Sequence, residues 1–303
     1  MKHAYLLFIG IILLSCNSQN KNIEPDRSKH VGLTQLNSNY AFKTLHSGGE
    51  IAHAMKQSEL VDEAYQFLSE IMGPKKQFCL LVISGKDWNK NAYSPVIGMP
   101  EYYRGNLIVG AGQNDMASGF EELIMSFPKE MTKNLTDTYT NDLGTFDLRL
   151  FFDKLSIHEL THSFQDPKNQ EGYSMSRWLE EIHANMGLYA FYKTKKPSEL
   201  KYIMSFVDFN LGNPPPDLQY TSLSDFDAHY YEMSPSNYGH YQMKFTGAAK
   251  EVIDSLGNGI LKPLNDFIIK YDETWKEKIT KEDFKNRLAT EVDPFLLEII
   301  ENW

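Results

Sequence analysis

Residues His158-Glu159-Leu160-Thr161-His162 constrain this chain more than any other stretch of it. A helix turns about 100° per residue, so two histidines four positions apart stack on one face. Two neutral imidazoles placed there can share one Zn2+, and Glu159 between them can reach a water on that metal. A fold that uses the motif must hold this helix still. The segment from Phe146 to Ile157 suits that need: Leu148, Phe151, Phe152 and Leu155 recur at helical intervals, and Leu160 continues the apolar face. Asp166-Pro167 is expected to end the helix, because a residue before proline avoids helical geometry.

A catalytic zinc needs a third protein ligand and one open position. The next expected helix, Ser174 to about Lys193, supplies carboxylates, and eighteen residues separate His162 from Glu181. In this spacing the chain resembles the gluzincin metallopeptidases, most closely the aminopeptidase-N family. That family's pattern is H-E-x-x-H, eighteen residues, then a Glu within W-L-x-E-G-x-A. Here the stretch reads Trp178-Leu179-Glu180-Glu181-Ile182-His183-Ala184, with Ile182 where the family has glycine.

The resemblance implies zinc held by His158, His162 and Glu181, with Glu159 as the base that deprotonates the attacking water. It also implies a tyrosine on a later helix that donates to the oxyanion. Tyr238, in the stretch Ser236 to Phe245, aligns best, and Tyr241 and His240 stay open as substitutes. Asn185 lies one turn after Glu181, where thermolysin-like gluzincins carry an acid that orients a ligating histidine. A polar residue on a solvated face is the plainer alternative for it. Glu180 reads as a surface or interhelical residue and His183 as a structural histidine, since three ligand positions are already filled.

Ahead of the motif, Ile51, Ala54, Met55, Val61, Ala64, Tyr65, Leu68 and Ile71 predict a helix over 50–72, stopped by Gly73-Pro74. Two apolar runs, Phe78 to Ile83 and Asn106 to Gly110, predict strands. Zincins resembling this chain pair extended substrate with an edge strand of a mixed sheet. By that likeness Asn106, Leu107, Ile108, Val109 and Gly110 form the candidate substrate-binding edge, with a plain inner strand as the alternative. The family's exopeptidase G-x-M-E-N motif is not visible. Helical stretches are expected at Leu200 to Phe209, Asp225 to Met233, Tyr238 to Leu256, Leu264 to Tyr271 and Pro294 to Trp303. The fold class expected is α+β, a zincin-like catalytic domain. A mixed sheet precedes the active-site helix, the glutamate helix and a mainly helical C-terminal subdomain. Residues 41–170 and 171–303 form the two subdomains, with the zinc between them.

The N-terminus bears on compartment. Lys2 and His3 precede an apolar run, Ala4 to Leu14, too short to span a bilayer. Leu13-Leu14-Ser15-Cys16 resembles a bacterial lipobox, which implies a signal peptide over 1–15 and lipid on Cys16. An ordinary secretory signal or an uncleaved anchor is the alternative. Residues 16–40 read as a flexible tether, so the expected site is the bacterial cell envelope, anchored by lipid on its periplasmic or surface side. Cys79 is then the sole remaining cysteine, and no disulfide supports the fold. A net charge of −10 without a basic stripe argues against a nucleic-acid partner.

The function expected is zinc-dependent hydrolysis of a peptide or protein substrate. Hydrolysis of a non-peptide amide and a binding lipoprotein on an inactive zincin scaffold are the rivals. The intact Glu159 argues against the scaffold, which has no need of a base beside its metal.

Overall fold

The computed structural model describes residues 24–74, 77–165, 176–274 and 280–303. Cys16, the expected signal peptide and Asp166-Pro167 lie outside the described residues. A five-stranded mixed sheet is built from β1 (Thr34–Gln35), β2 (Lys43–His46), β3 (Cys79–Ser84), β4 (Glu101–Tyr103) and β5 (Asn106–Ala111), in the order β1-β2-β3-β5-β4. β2, β3 and β5 run parallel, and the outer strands β1 and β4 pair antiparallel with β2 and β5. Most of the remaining chain is helical.

The apolar runs at β3 and β5 follow from burial on both faces. Leu80, Val82, Leu107 and Val109 face the main core, while Cys79, Leu81, Ile83 and Ile108 pack with Trp88 and Ala92 in a smaller cluster. A strand covered on both sides wants apolar residues at successive positions, so it shows no alternation. Burial pushes the Cys79 thiol up to about 11, which suits a core residue.

Two expectations need correction here. β5 is an inner strand, hydrogen-bonded to β3 on one side and β4 on the other, so Asn106, Leu107, Ile108, Val109 and Gly110 offer no free edge. The Asn106 side chain is also engaged, donating to the Asp26 carbonyl at 3.0 Å and meeting His30 Nε2 at 2.8 Å. Gly110 is a close-approach position: a Cβ there would lie 2.6 Å from Gly98 Cα. The edge strand on this side is β4. The tether expected over 16–40 is too long, because the chain has joined the fold by Asp26, whose amide donates to the Arg104 carbonyl at 3.0 Å. Thr34 and Gln35 then form β1 itself.

The helices are α1 (Ile51–Met72), α2 (Trp88–Asn91), α3 (Asp115–Met125), α4 (Lys129–Tyr139), α5 (Arg149–Phe152), α6 (Ser156–Gln165) and α7 (Arg177–Lys195). They continue with α8 (Lys201–Gly212), α9 (Leu223–His229), α10 (Pro235–Leu256), α11 (Leu261–Thr274), α12 (Lys281–Glu291) and α13 (Phe295–Glu301). The segment before the motif is not one helix. A 3-10 turn at Asp153–Leu155 separates α5 from α6. There the Asp153 carbonyl accepts from Ser156 Oγ at 3.0 Å and Gln57 Nε2 at 3.4 Å, side chains that compete with the helical ladder.

α7 is the pillar of the molecule. Its residues from Trp178 to Tyr192 are buried apart from Glu180, and α6, α10, α11 and α1 pack around it. A helix covered on all sides loses the one-faced pattern of a surface helix. One core cluster runs from α1 and the sheet through α7 to α13, so the two expected subdomains share a single interior.

Candidate metal centre

α6 and α7 cross closely because of one glycine. A Cβ on Gly187 would lie 2.1 Å from Thr161 Oγ1, so only glycine lets α7 come this near to α6. Thr161 Oγ1 is tied back to the Ile157 carbonyl at 2.8 Å. The crossing brings Glu181 of α7 against the histidine face of α6. His158 Nε2 and His162 Nε2 lie 3.0 Å apart, and Glu181 Oε2 is 3.2 Å from the first and 3.6 Å from the second.

His158, His162 and Glu181 form a group whose ligand atoms lie within 4.8 Å of one another, and it can hold a metal ion. Two imidazole nitrogens and one carboxylate oxygen are a donor set that suits a divalent metal such as Zn2+. The charge distribution agrees with that use. Burial works against the Glu181 anion, but hydrogen bonds and charge from His158 and His162 outweigh it and hold the carboxyl well below its ordinary range. Burial likewise opposes a charge on His162, and Glu181 overrides it, lifting the imidazole to about 9. The site is thus arranged to welcome positive charge.

Glu159 stands beside this group, 3.9 Å from His158 Nε2. Burial raises its carboxyl, His158 and His162 pull it down, Glu181 pushes it up, and the backbone amide of Tyr102 hydrogen-bonds it. That amide belongs to β4, so the outer strand of the sheet meets Glu159. Glu101, one residue earlier, is fixed by the Tyr93 and Ser94 amides at 2.7 and 2.9 Å, and burial leads in pushing it up to about 7.

On the α10 side, Gln242 is the connecting residue. Its Nε2 donates to Glu181 Oε2 and to Tyr238 Oη, both at 3.0 Å. Tyr238 in turn hydrogen-bonds the Tyr230 hydroxyl, and the two rings meet edge to face at 5.9 Å. Burial raises both phenols, with the carboxylates of Glu181 and Glu159 adding to the effect. Tyr241 is elsewhere: its fully buried ring stacks on Trp303 and its hydroxyl donates to the Ser222 carbonyl at 2.7 Å.

Asn185 does not orient a histidine among the described contacts. It donates to the Glu181 carbonyl at 2.9 Å and to Gln242 Oε1 at 3.4 Å, and accepts from Thr246 Oγ1 at 2.9 Å. It therefore steadies Gln242, which holds Glu181. The partner of His162 Nδ1 is Gln165 Oε1, at 2.7 Å. Gln165, Gln242 and Tyr230 were not singled out from the sequence. Gln165 is three residues after His162 and Gln242 four after Tyr238, spacings that share a helix face. Tyr230 follows a different helix, so no local spacing points to it. His183 is a structural residue, bridging Gln165 Nε2 at 2.9 Å and the Leu261 carbonyl at 3.0 Å.

A cavity of 470 Å³ lies apart from this group, lined by Arg27, His30, Phe42, Lys43 and Cys79 near β2 and β3. It shares no lining residue with the metal group, so its size carries no weight in locating the chemistry.

No protein-family model matches the chain, and no curated protein matches it in sequence. In structure it is similar to the crystal structure of an aminopeptidase N family protein from Idiomarina loihiensis. The TM-score is 0.51 at 11% identity, over 88% of this chain and 46% of that one. The chain thus spans about half the length of that protein. At this identity the likeness concerns the fold: an α+β arrangement with a five-stranded mixed sheet, loosely like that of the aminopeptidase N family protein.

Proposed function

We propose that the chain is a zinc metallopeptidase of the gluzincin type. The observation that carries this reading is the convergence of His158 Nε2, His162 Nε2 and Glu181 Oε2, with the Glu159 carboxylate alongside. His158, His162 and Glu181 would hold Zn2+. Bound there, the ion would acidify a water and polarise the scissile carbonyl. Glu159 takes the proton from the attacking water and passes it to the leaving amine. Tyr238, supported by Gln242 and paired with Tyr230, supplies a phenol to the developing oxyanion. The outer edge of β4, from Glu101 to Tyr103, receives extended substrate by strand addition, with the Tyr102 amide passing from Glu159 to the substrate as Glu159 turns to the water.

The protein acts at the bacterial cell envelope, held by lipid on Cys16; the support is the run from Lys2 to Cys16 in the sequence. Its substrate is a peptide or protein reached on that side of the membrane. Metal content tests the centre. The full chain in mild detergent is expected to bind one zinc, Glu159→Gln to keep it, and His162→Ala to lose it. Equal zinc content in wild type and His162→Ala would overturn the assignment.

A further inference from the structure

Gln165 ends α6 with a buried side chain, and its surroundings fix which way its amide points. Its Nε2 lies 2.9 Å from the Glu180 carbonyl oxygen. A carbonyl only accepts, so the NH2 group must face it, and a flipped amide would set oxygen against oxygen. The same Nε2 lies 2.9 Å from His183 Nδ1. The other nitrogen of His183 is 3.0 Å from the Leu261 carbonyl, again an acceptor only. His183 therefore carries its proton on Nε2 and presents a lone pair on Nδ1 to Gln165.

With the amide fixed from both sides, Gln165 Oε1 is what faces His162 Nδ1, at 2.7 Å. An oxygen acceptor there requires an N–H on His162 Nδ1. The nitrogen left over is Nε2, the atom turned toward His158 and Glu181. We infer that Gln165 and His183 are positioning residues, through which the carbonyls of Glu180 and Leu261 keep His162 Nδ1 protonated and reserve Nε2 for a metal. The inference rests on the metal-centre reading above and deepens it. It also ties the start of α11, through Leu261, to a ligand on α6.

The side chain at 183 gives a test that simple packing would not mimic. In His183→Asn the amide oxygen can take the place of Nδ1 and accept from Gln165, whereas His183→Leu packs well but accepts nothing. Zinc affinity of the full chain, measured by competition with a chromogenic chelator, should fall about 10–100-fold in His183→Leu. Most of that loss should be recovered in His183→Asn. A packing role alone would leave the leucine variant the better of the two, and that order would overturn the inference.

A second measurement needs no variant fold and no metal. Long-range proton–nitrogen correlation spectra of the 15N-histidine-labelled, metal-free chain, taken at about pH 10 where the His162 imidazole is neutral, should show His162 protonated at Nδ1 with a bare Nε2. They should show His183 protonated at Nε2 with a bare Nδ1. A bare Nδ1 on His162, or a proton on His183 Nδ1, would overturn it. A wild-type chain that takes up no zinc would instead count against the metal centre, while the spectra still decide the hydrogen-bond relay.

Discussion

Glu159 shares its surroundings with His158, His162 and Glu181, the three side chains that could hold a metal, yet its expected role separates cleanly from theirs. Glu159→Gln keeps the shape and removes the base, so kcat is expected to fall about 10²–10⁴-fold while bound zinc stays at wild-type content. Peptide hydrolysis read beside metal analysis checks both halves. The tyrosines divide in the same way. Tyr238→Phe should lower kcat about 10²–10³-fold with zinc retained. Tyr241→Phe should leave kcat alone and cost about 1 kcal/mol of stability, the worth of one hydrogen bond to the Ser222 carbonyl. Equal effects on kcat would contradict the assignment of Tyr241 to the core.

The three residues that the structure brings together, His158, His162 and Glu181, were legible in the sequence for different reasons. The histidines share a helix face by their spacing of four, whereas Glu181 was pointed to by the resemblance in its eighteen-residue spacing. Gln165 and Gln242 were not legible, since a glutamine has no chemical signature until its partners are known. Asn185 shows the limit of reading by register: it has the right spacing, but its side chain turns to Thr246 and Gln242 instead of a histidine.

Among the elements, α1 and α10 could be read because their apolar residues recur at helical spacing, and β3 and β5 because they are covered on both faces. β4 could not, being three residues long. Strand order is likewise invisible to local pattern, so the resemblance points to β5 as an edge while the outer strand is β4. At the break between α5 and α6 the Asp153 carbonyl is met by Gln57 of α1, a residue remote in sequence, as well as by the local Ser156.

The crossing of α6 and α7 carries its own expectation. Gly187→Ala should raise intrinsic helix propensity by about 1 kcal/mol. The contact with Thr161 should nevertheless make the net effect destabilising, by about 1–3 kcal/mol, and should weaken zinc binding. Thr161→Ala in the same chain should restore most of both losses. Denaturant midpoints and zinc titrations of the single and double variants decide it.

α7 and α10 are joined at their far ends by Asp254, which accepts from Lys193 and Tyr189 of one helix and Lys250 of its own. Burial raises this carboxyl, and the three donors outweigh that and bring it to about 2 from 3.8. Its contribution is present above 3.8 and is lost as pH falls from there toward about 2. The group is 35% exposed, so the effect should stay below about 1 kcal/mol. Asp254→Asn should flatten the acid side of the stability profile over that window and leave neutral-pH activity intact.

At the scale of the whole molecule, one core joins the sheet, α6, α7 and the C-terminal helices, and the candidate metal centre lies on α6 and α7 within it. A ligand held by α6 and α7 together should stabilise that assembly. Zinc at one hundred times its dissociation constant should add about 2.7 kcal/mol, raising the unfolding midpoint by several degrees, and a chelator should reverse it. Among the described residues no helix is long and apolar enough to cross a membrane. The proposed lipid attachment rests on Cys16 and its neighbours in the sequence. Mass spectrometry of the mature N-terminus, with Cys16→Ala as control, is the check on it.

The central claim is hydrolysis of peptide bonds, and one measurement meets it directly. The full chain in mild detergent, loaded with zinc, is given a diverse peptide mixture beside Glu159→Gln, and new termini are read by mass spectrometry. Cuts made by wild type and missing from the variant are expected, internal cuts defining an endopeptidase and stepwise loss of end residues an exopeptidase. An intact mixture with zinc bound would contradict the claim and move the site to a non-peptide amide or to binding without turnover.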